Sequence, residues 1–353
     1  MRRTWLIIGL ILGIALPCQA RGNPSPVTSY ARMVAELRAD AALNPVVRLT
    51  TLGKSIRGRS LWAVRLGNPV PNGSRRILVL CRQHGDEPAS TEAALRLIKS
   101  VAEKRDPALQ TALSHVTLYL VPMVNPDGAG ANTRLNANGA DLNRDWGAFS
   151  QPETRAVARA ARLIRPNLII DAHNWDGKDT YNADCLEAPR ASNSPALRVT
   201  QAIQSANIAR LANNGFAVAP TRYGADSPNT LAHRWFVAQG IPALLIETHA
   251  GDSDNHLDFR RRQDIYLALI RDLACYSAAR YSPTVSREAV LFPSAIPSHP
   301  AALPRRPFPW GLAALCVYGF VLWACCPLAP NLALPQRLPV RRYSYRPQKA
   351  KAV

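Results

Sequence analysis

Apolar residues along this chain gather into short runs separated by polar turns. Six runs have the length and composition of buried strands: residues 46–52, 60–66, 77–81, 115–123, 167–172 and 243–248. Between or beside them lie stretches with helical spacing, at 28–43, 88–104, 152–164, 195–213 and 258–279. In the first of these, Tyr30, Met33, Val34 and Leu37 fall on one face. Pro88 suits a first helical position, where its missing N–H is no loss. A glycine-containing turn at 53–58 joins the first two strands. Strands alternating with helices predict an α/β fold whose sheet is covered on both faces.

The polar residues that follow the apolar runs carry the chemistry. His84 and Glu87 come after the run 77–81, His173 follows 167–172, and Glu247 lies at the end of 243–248. In open α/β sheets, ligands bind outside the carboxyl ends of the strands. His and Glu three residues apart can place an imidazole nitrogen and a carboxylate on one metal ion, a common zinc pairing. A lone His-x-x-Glu also arises by chance. The agreement of three distant segments is the stronger signal.

Charge changes the picture only after it is divided. The formal net charge is +19, but residues 1–21 hold three basic groups, residues 301–353 hold eight, and neither end has an Asp or Glu. The middle of the chain is left with +8, and no nucleic-acid motif accompanies it. Such a mildly basic surface suits an anionic polymer, an anionic membrane or plain solvation.

The two ends read as targeting segments. Arg2 and Arg3 precede an apolar run and then Cys18-Gln-Ala20, the layout of a secretory signal over 1–20. An uncleaved anchor is the alternative. Residues 283–308 are proline-rich, as a linker is. Residues 309–329 are almost wholly apolar and long enough to span a bilayer as one transmembrane helix. The basic tail 330–353 is then cytoplasmic, and the main domain, 21–282, lies on the periplasmic or extracellular side. Among the cysteines of that domain, Cys81 reads as a buried thiol, and a Cys185–Cys275 disulfide stays open.

The motifs together resemble a known family. His84-x-x-Glu87, Asn125-Pro-Asp-Gly128, Arg134, the run Asn138-Gly-Ala-Asp141-Leu-Asn143-Arg144, then His173 and Glu247 are similar in order and spacing to the zinc metallocarboxypeptidases, peptidase family M14. The resemblance covers about residues 30–280. It implies a three-layer α/β/α sandwich with a mixed central sheet. It implies one zinc per chain, held by His84, Glu87 and His173, with an open position for water. It assigns Glu247 as general base, Arg134 to the oxyanion, and Asn143 and Arg144 to the substrate's terminal carboxylate. Asp141 orients a zinc histidine, and Tyr223 corresponds to a substrate-capping tyrosine. The expected partner is a peptide, with cell-wall (peptidoglycan-derived) peptides suggested by the compartment, and no nucleic acid. A deacylase or amidase acting on small N-acyl amino acids is the alternative enzyme. A non-catalytic binding module of the same fold is the alternative of another class. The sequence leaves the oligomeric state open.

Overall fold

The three most apolar runs form the parallel centre of the sheet. A computed structural model of the chain describes residues 27–67, 75–175, 184–189, 194–221, 230–249 and 256–279, which fall in the first of its two units, Met1–Ser298. In chain order the elements are α1 (Tyr30–Leu43), β1 (Val47–Lys54), β2 (Ser60–Leu66), β3 (Arg75–Cys81), α2 (Ala89–Ala102), α3 (Pro107–Ala112), β4 (Val116–Val121) and α4 (Pro126–Ala131). After a single 3-10 turn at Leu142–Arg144 come α5 (Pro152–Ile164), β5 (Leu168–Trp175), β6 (Cys185–Glu187), α6 (Pro195–Asn213), β7 (Ala219–Thr221), α7 (Ala232–Ala238), β8 (Ala243–His249) and α8 (His256–Ala279).

The eight strands form one mixed sheet in the order β1-β2-β4-β3-β5-β8-β6-β7. β4, β3, β5 and β8 run parallel, whereas β1, β2 and β4 pair antiparallel, and β6 runs against β8. Parallel strands are covered on both faces, which is why 77–81, 168–170 and 243–246 read as unbroken apolar runs. Side chains alternate between the faces. Ile77, Val79 and Cys81 enter one core with α2, α3 and α8. Leu78 and Leu80 enter a second core with α5 and α7. The expected α/β architecture with a mixed sheet is therefore present.

Local signals explain most helix ends. Ser29 caps α1 by accepting from the Arg32 N–H, and the predicted face buries Met33 and Leu37 fully, with Tyr30 and Val34 packed at its margin. Burying each such side chain stabilises by roughly 1.5–3 kcal/mol. Asp106 and Ser194 cap α3 and α6, each followed by proline at the first helical position. Pro88 sits one place earlier than expected, at the cap of α2, with helical backbone angles. α3, α4, α7 and the three-residue strands β6 and β7 are additions to the expected elements.

Several expectations lie outside the described residues: the signal segment, Tyr223, the linker, the span 309–329 and the tail. Among the described residues no helix is long and apolar enough to cross a membrane. Cys81, Cys185 and Cys275 are all free, so Cys185 and Cys275 are not paired. Burial pushes the Cys81 thiol up to about 12, as suits a core thiol.

Candidate metal centre

The site forms where the sheet order reverses. The chain leaves β3 for β4 on one side and later returns to β5 on the other. Such a switch point opens a crevice at the carboxyl ends of the strands. The turn that leaves β3 enters this crevice. Its first residue, Arg82, adopts the left-handed conformation (φ 57°), uncommon for a side-chain-bearing residue. Two bonds hold it there: Arg82 Nε donates to the Gly85 carbonyl at 2.9 Å, and the Arg82 carbonyl accepts from the Asn125 N–H at 3.1 Å.

The second motif, Asn125-Pro-Asp-Gly128, is the clamp on this turn. Asn125 Oδ1 caps α4 by accepting from the Gly128 N–H at 2.8 Å. Its Nδ2 donates to the carbonyls of Gln83 at 3.2 Å and Arg134 at 3.3 Å. One side chain thus binds the His84 turn to the loop that carries Arg134. Gly85 packs backbone to backbone on α4: a Cβ there would lie 2.0 Å from the Gly128 carbonyl carbon. This close approach requires glycine.

His84, Glu87 and His173 come together at the turn and β5. They are buried, with one ligand atom from each lying within 4.8 Å of the others. His84 Nδ1 is 2.6 Å from Glu87 Oε1, His173 Nδ1 is 2.8 Å from Glu87 Oε2, and the two Nδ1 atoms are 3.1 Å apart. The far nitrogens face carboxylates: His84 Nε2 lies 3.0 Å from Asp141 Oδ1, and His173 Nε2 lies 3.0 Å from Asp171 Oδ1. A carboxylate only accepts, so each Nε2 carries the proton, and each neutral ring turns its Nδ1 lone pair inward. Two lone pairs and a carboxylate then point at one another, an arrangement that a cation satisfies. Two imidazole nitrogens and a carboxylate converging in this way are a donor set that zinc takes. The donor set therefore fits zinc.

The same carboxylates also favour a proton on the imidazole rings, so metal binding here would release protons. Burial alone would raise the Glu87 carboxyl, but the two histidines outweigh it and pull it down to about 2. Burial opposes the charged form of His173, yet Asp171 and Glu87 hold its pKa well above the usual histidine value. Asp141 is held below the ordinary carboxylate range by His84, Arg134 and Arg144, against its burial.

The remaining expected residues surround this cluster. Arg134, with a half-exposed side chain, donates from Nε to Asp141 Oδ2 at 3.0 Å and reaches within 3.7 Å of Glu87. Arg144 is exposed, and its Nη1 donates to the Asn143 carbonyl at 3.0 Å. Asn143 is buried; its Oδ1 accepts from the Ala232 N–H at 2.8 Å, and its Nδ2, itself a donor, stands 3.1 Å from His173 Nε2. Glu247 on β8 stands in register with His173 on β5, so both side chains share one face of the sheet. Burial, and then the nearby Glu87 charge, push the Glu247 carboxyl up to about 8.

Some supporting residues were not foreseen. Trp146 Nε1 donates to Gln83 Oε1 at 2.9 Å, and Gln83 Nε2 donates to Asp171 Oδ1 at 2.5 Å. The Tyr266 hydroxyl of α8 donates to the His173 carbonyl and fixes the strand from the other core. Asp171 carried a legible signal, because residues two apart on a strand share a face. Gln83, Trp146 and Tyr266 carried none, since their contacts join segments far apart in sequence.

Known proteins resemble this chain in sequence and in fold. The zinc carboxypeptidase family model matches residues 33–214. Carboxypeptidase SOL1 of Arabidopsis thaliana is 31% identical over 156 residues, which cover 38% of this chain and 32% of that protein. A zinc carboxypeptidase of Saccharothrix mutabilis subsp. capreolus is 32% identical over 146 residues, covering 35% of this chain and 34% of that protein. The match thus spans about a third of the length of these curated relatives. A solved structure, the metallo-carboxypeptidase from Burkholderia cenocepacia, shares the fold with a TM-score of 0.63 at 24% identity, over 72% of this chain and 70% of that one. The family match takes in β3, its turn and β5, the segments that carry the three converging ligand atoms, and the chain belongs to the zinc carboxypeptidase family, peptidase M14.

Proposed function

We propose that this chain is a zinc metallocarboxypeptidase that hydrolyses the peptide bond next to a C-terminal residue. The observation that carries the reading is the convergence of His84, Glu87 and His173, with Glu247 in register beside His173. Zinc held by these three residues supplies a polarising charge and a water acidified toward neutral pH. Glu247 takes the proton of the attacking water and returns it to the departing amine. Arg134, at the mouth beside Glu87, steadies the negative charge that develops on the carbonyl oxygen. Arg144, exposed on the same loop, takes the substrate's terminal carboxylate through its planar guanidinium. Asn143, fixed through its Oδ1 by the Ala232 N–H, offers its Nδ2 donor to the same carboxylate.

The proposal extends to place and substrate. The apolar span 309–329 and basic tail favour a domain exported and tethered to the membrane. Peptides of the cell wall are accessible there. The test is a digest of a peptide library with the full chain. Free-acid peptides should lose their last residue, a chelator should stop the reaction, and Arg144→Ala should impair cleavage of free-acid peptides far more than of amidated ones. Equal loss on both would turn the reading toward an amidase, and no cleavage of any peptide would overturn it.

A further inference from the structure

A buried polar layer lies directly beneath the site row. On β5, β8 and β6, His173, Glu247 and Cys185 stand in register; two residues back, Asp171 and Glu187 both pair with Leu245. α7 packs over this second row and inserts His233, which is fully buried. His233 Nε2 lies 3.0 Å from Glu187 Oε1, and Arg234 Nη2 donates to the same oxygen at 2.9 Å. On the other side of the ring, His233 Nδ1 faces Asp171 Oδ2 at 4.0 Å. Among the described residues neither atom has a hydrogen-bond partner. Buried polar atoms without partners are rare in native proteins, and here two face each other just beyond hydrogen-bonding range. Asp171 Oδ1, meanwhile, accepts from Gln83 and faces His173 Nε2.

We infer that His233 is a positioning residue for the metal centre, acting through Asp171 on His173. Asp171 has two oxygens: one sets the tautomer and tilt of His173, and the other is directed at His233. Set between two carboxylates, the His233 ring donates from both nitrogens, Nε2 to Glu187 and Nδ1 toward Asp171 Oδ2, and the second donor steers the rotation of the Asp171 carboxylate and so the aim of the His173 lone pair. Glu187, itself held by Arg234, fixes the ring of His233 from behind. The chain Arg234–Glu187–His233–Asp171–His173 carries order from α7 and β6 to β5. Outer partners of a metal-bound histidine tune its donor strength in this way. The inference rests on the zinc site proposed above.

Isosteric substitution separates this role from a purely structural one. An asparagine amide sits where Nδ1 does, and a glutamine amide sits where Nε2 does. In the full chain, His233→Gln keeps the contact with Glu187 and removes the donor directed at Asp171. It should weaken zinc about 10-fold, the lower edge of the range for partners that touch a ligand directly, and shift the visible bands of the cobalt(II)-substituted protein. His233→Asn should retain wild-type zinc affinity and cobalt spectrum, even if it melts earlier. In an Asp171→Asn background the effect of His233→Gln should vanish, because the two residues act in series. Unchanged zinc affinity in His233→Gln, an equal loss in His233→Asn, or additive effects would each overturn the inference. A second measurement needs no variant: the 15N resonance of His233 Nδ1 should move when zinc is added, and an unmoved resonance overturns it. A wild-type chain that takes up no zinc overturns the proposed function and this inference together. Normal zinc uptake with an indifferent His233 overturns the inference alone.

Discussion

Glu247 and Glu187 are two carboxylates on neighbouring strands with opposite titration behaviour, and their surroundings explain both. Glu247 has Glu87 nearby and is pushed up to about 8, chiefly by burial. Glu187 is more fully buried, but His233 and Arg234 outweigh the burial and lower its pKa below the ordinary 4.5. Glu247→Gln keeps size and polarity but removes the basic oxygen. Turnover should fall by at least about 100-fold while bound zinc stays near one per chain. Near-normal turnover in the zinc-loaded variant would reject Glu247 as the base, whereas loss of zinc would recast it as a ligand. Glu187 gives a pH prediction. Its folded-state pKa is depressed, so its ion pairs stabilise the fold fully above about pH 4.5, and that contribution is lost as pH falls through the lower folded value. Removing one partner of a buried ion pair typically destabilises by about 3–5 kcal/mol. Urea melts of wild type and Glu187→Gln should therefore differ by a constant amount between pH 6 and 5, as the depressed carboxyl predicts, and converge on further acidification. A gap that widens in acid would contradict the assignment.

At the scale of elements, the site depends on two loops that meet without side chains between them. Gly85 in the His84 turn and Gly128 in α4 are in backbone contact, and Asn125 bonds to both sides of the junction. Gly85→Ala places a methyl group 2.0 Å from the Gly128 carbonyl carbon, a clash with main chain that no rotamer relieves. Overpacking of this kind typically destabilises by about 1–3 kcal/mol. Here the displaced element is the turn bearing two of the three metal-binding residues. Gly85→Ala should therefore lose zinc affinity out of proportion to its drop in melting temperature, as read by chelator competition and thermal melts. Equal zinc affinity would show that the turn tolerates displacement. This junction also marks the limit of sequence reading. The parallel centre of the sheet was legible because its strands are unbroken apolar runs, and α1, α5 and α6 because their apolar spacing is clear. The metal-binding residues were legible because they follow those strands. The asparagine motif had the look of a loop, because only the folded chain shows Asn125 capping a six-residue helix. β6 and β7 are three residues each, too short for any periodicity, and so the row that sets Cys185 beside Glu247 had no sequence signature. Asn143 was plain in the motif, but the bond from the Ala232 N–H that fixes its amide joins segments far apart in sequence and had no sequence signature.

For the whole molecule, the arrangement of charge and apolar segments bears on where the proposed activity would take place. The excess of basic groups lies partly at the two ends, and residues between Arg306 and Arg337 carry no charge at all. A bilayer crossing is the favourable environment for an apolar stretch of about 20 residues. Six basic residues follow it, from Arg337 to Lys351, and basic segments are retained on the cytoplasmic side. The domain that carries the zinc site would then face outward on a short proline-rich stalk. Two forces could hold it to a membrane: insertion of the span, or attraction of its basic surface to anionic lipid. They differ in salt dependence, because surface attraction is screened within about 10 Å at 0.1 M salt and within about 3 Å at 1 M, whereas insertion is not screened. Full-length protein in isolated membranes should stay in the pellet through a 1 M salt wash and leave it only with detergent. A chain ending at Ser298 should be recovered in the soluble exported fraction with zinc bound and peptidase activity intact. Release of the intact full-length chain by salt alone would reject the inserted anchor and leave surface charge as the attachment. A reporter active only outside the cytoplasm and fused after Val353 should be silent; activity there would reverse the orientation and place the zinc site on the cytoplasmic side, away from any cell-wall peptide.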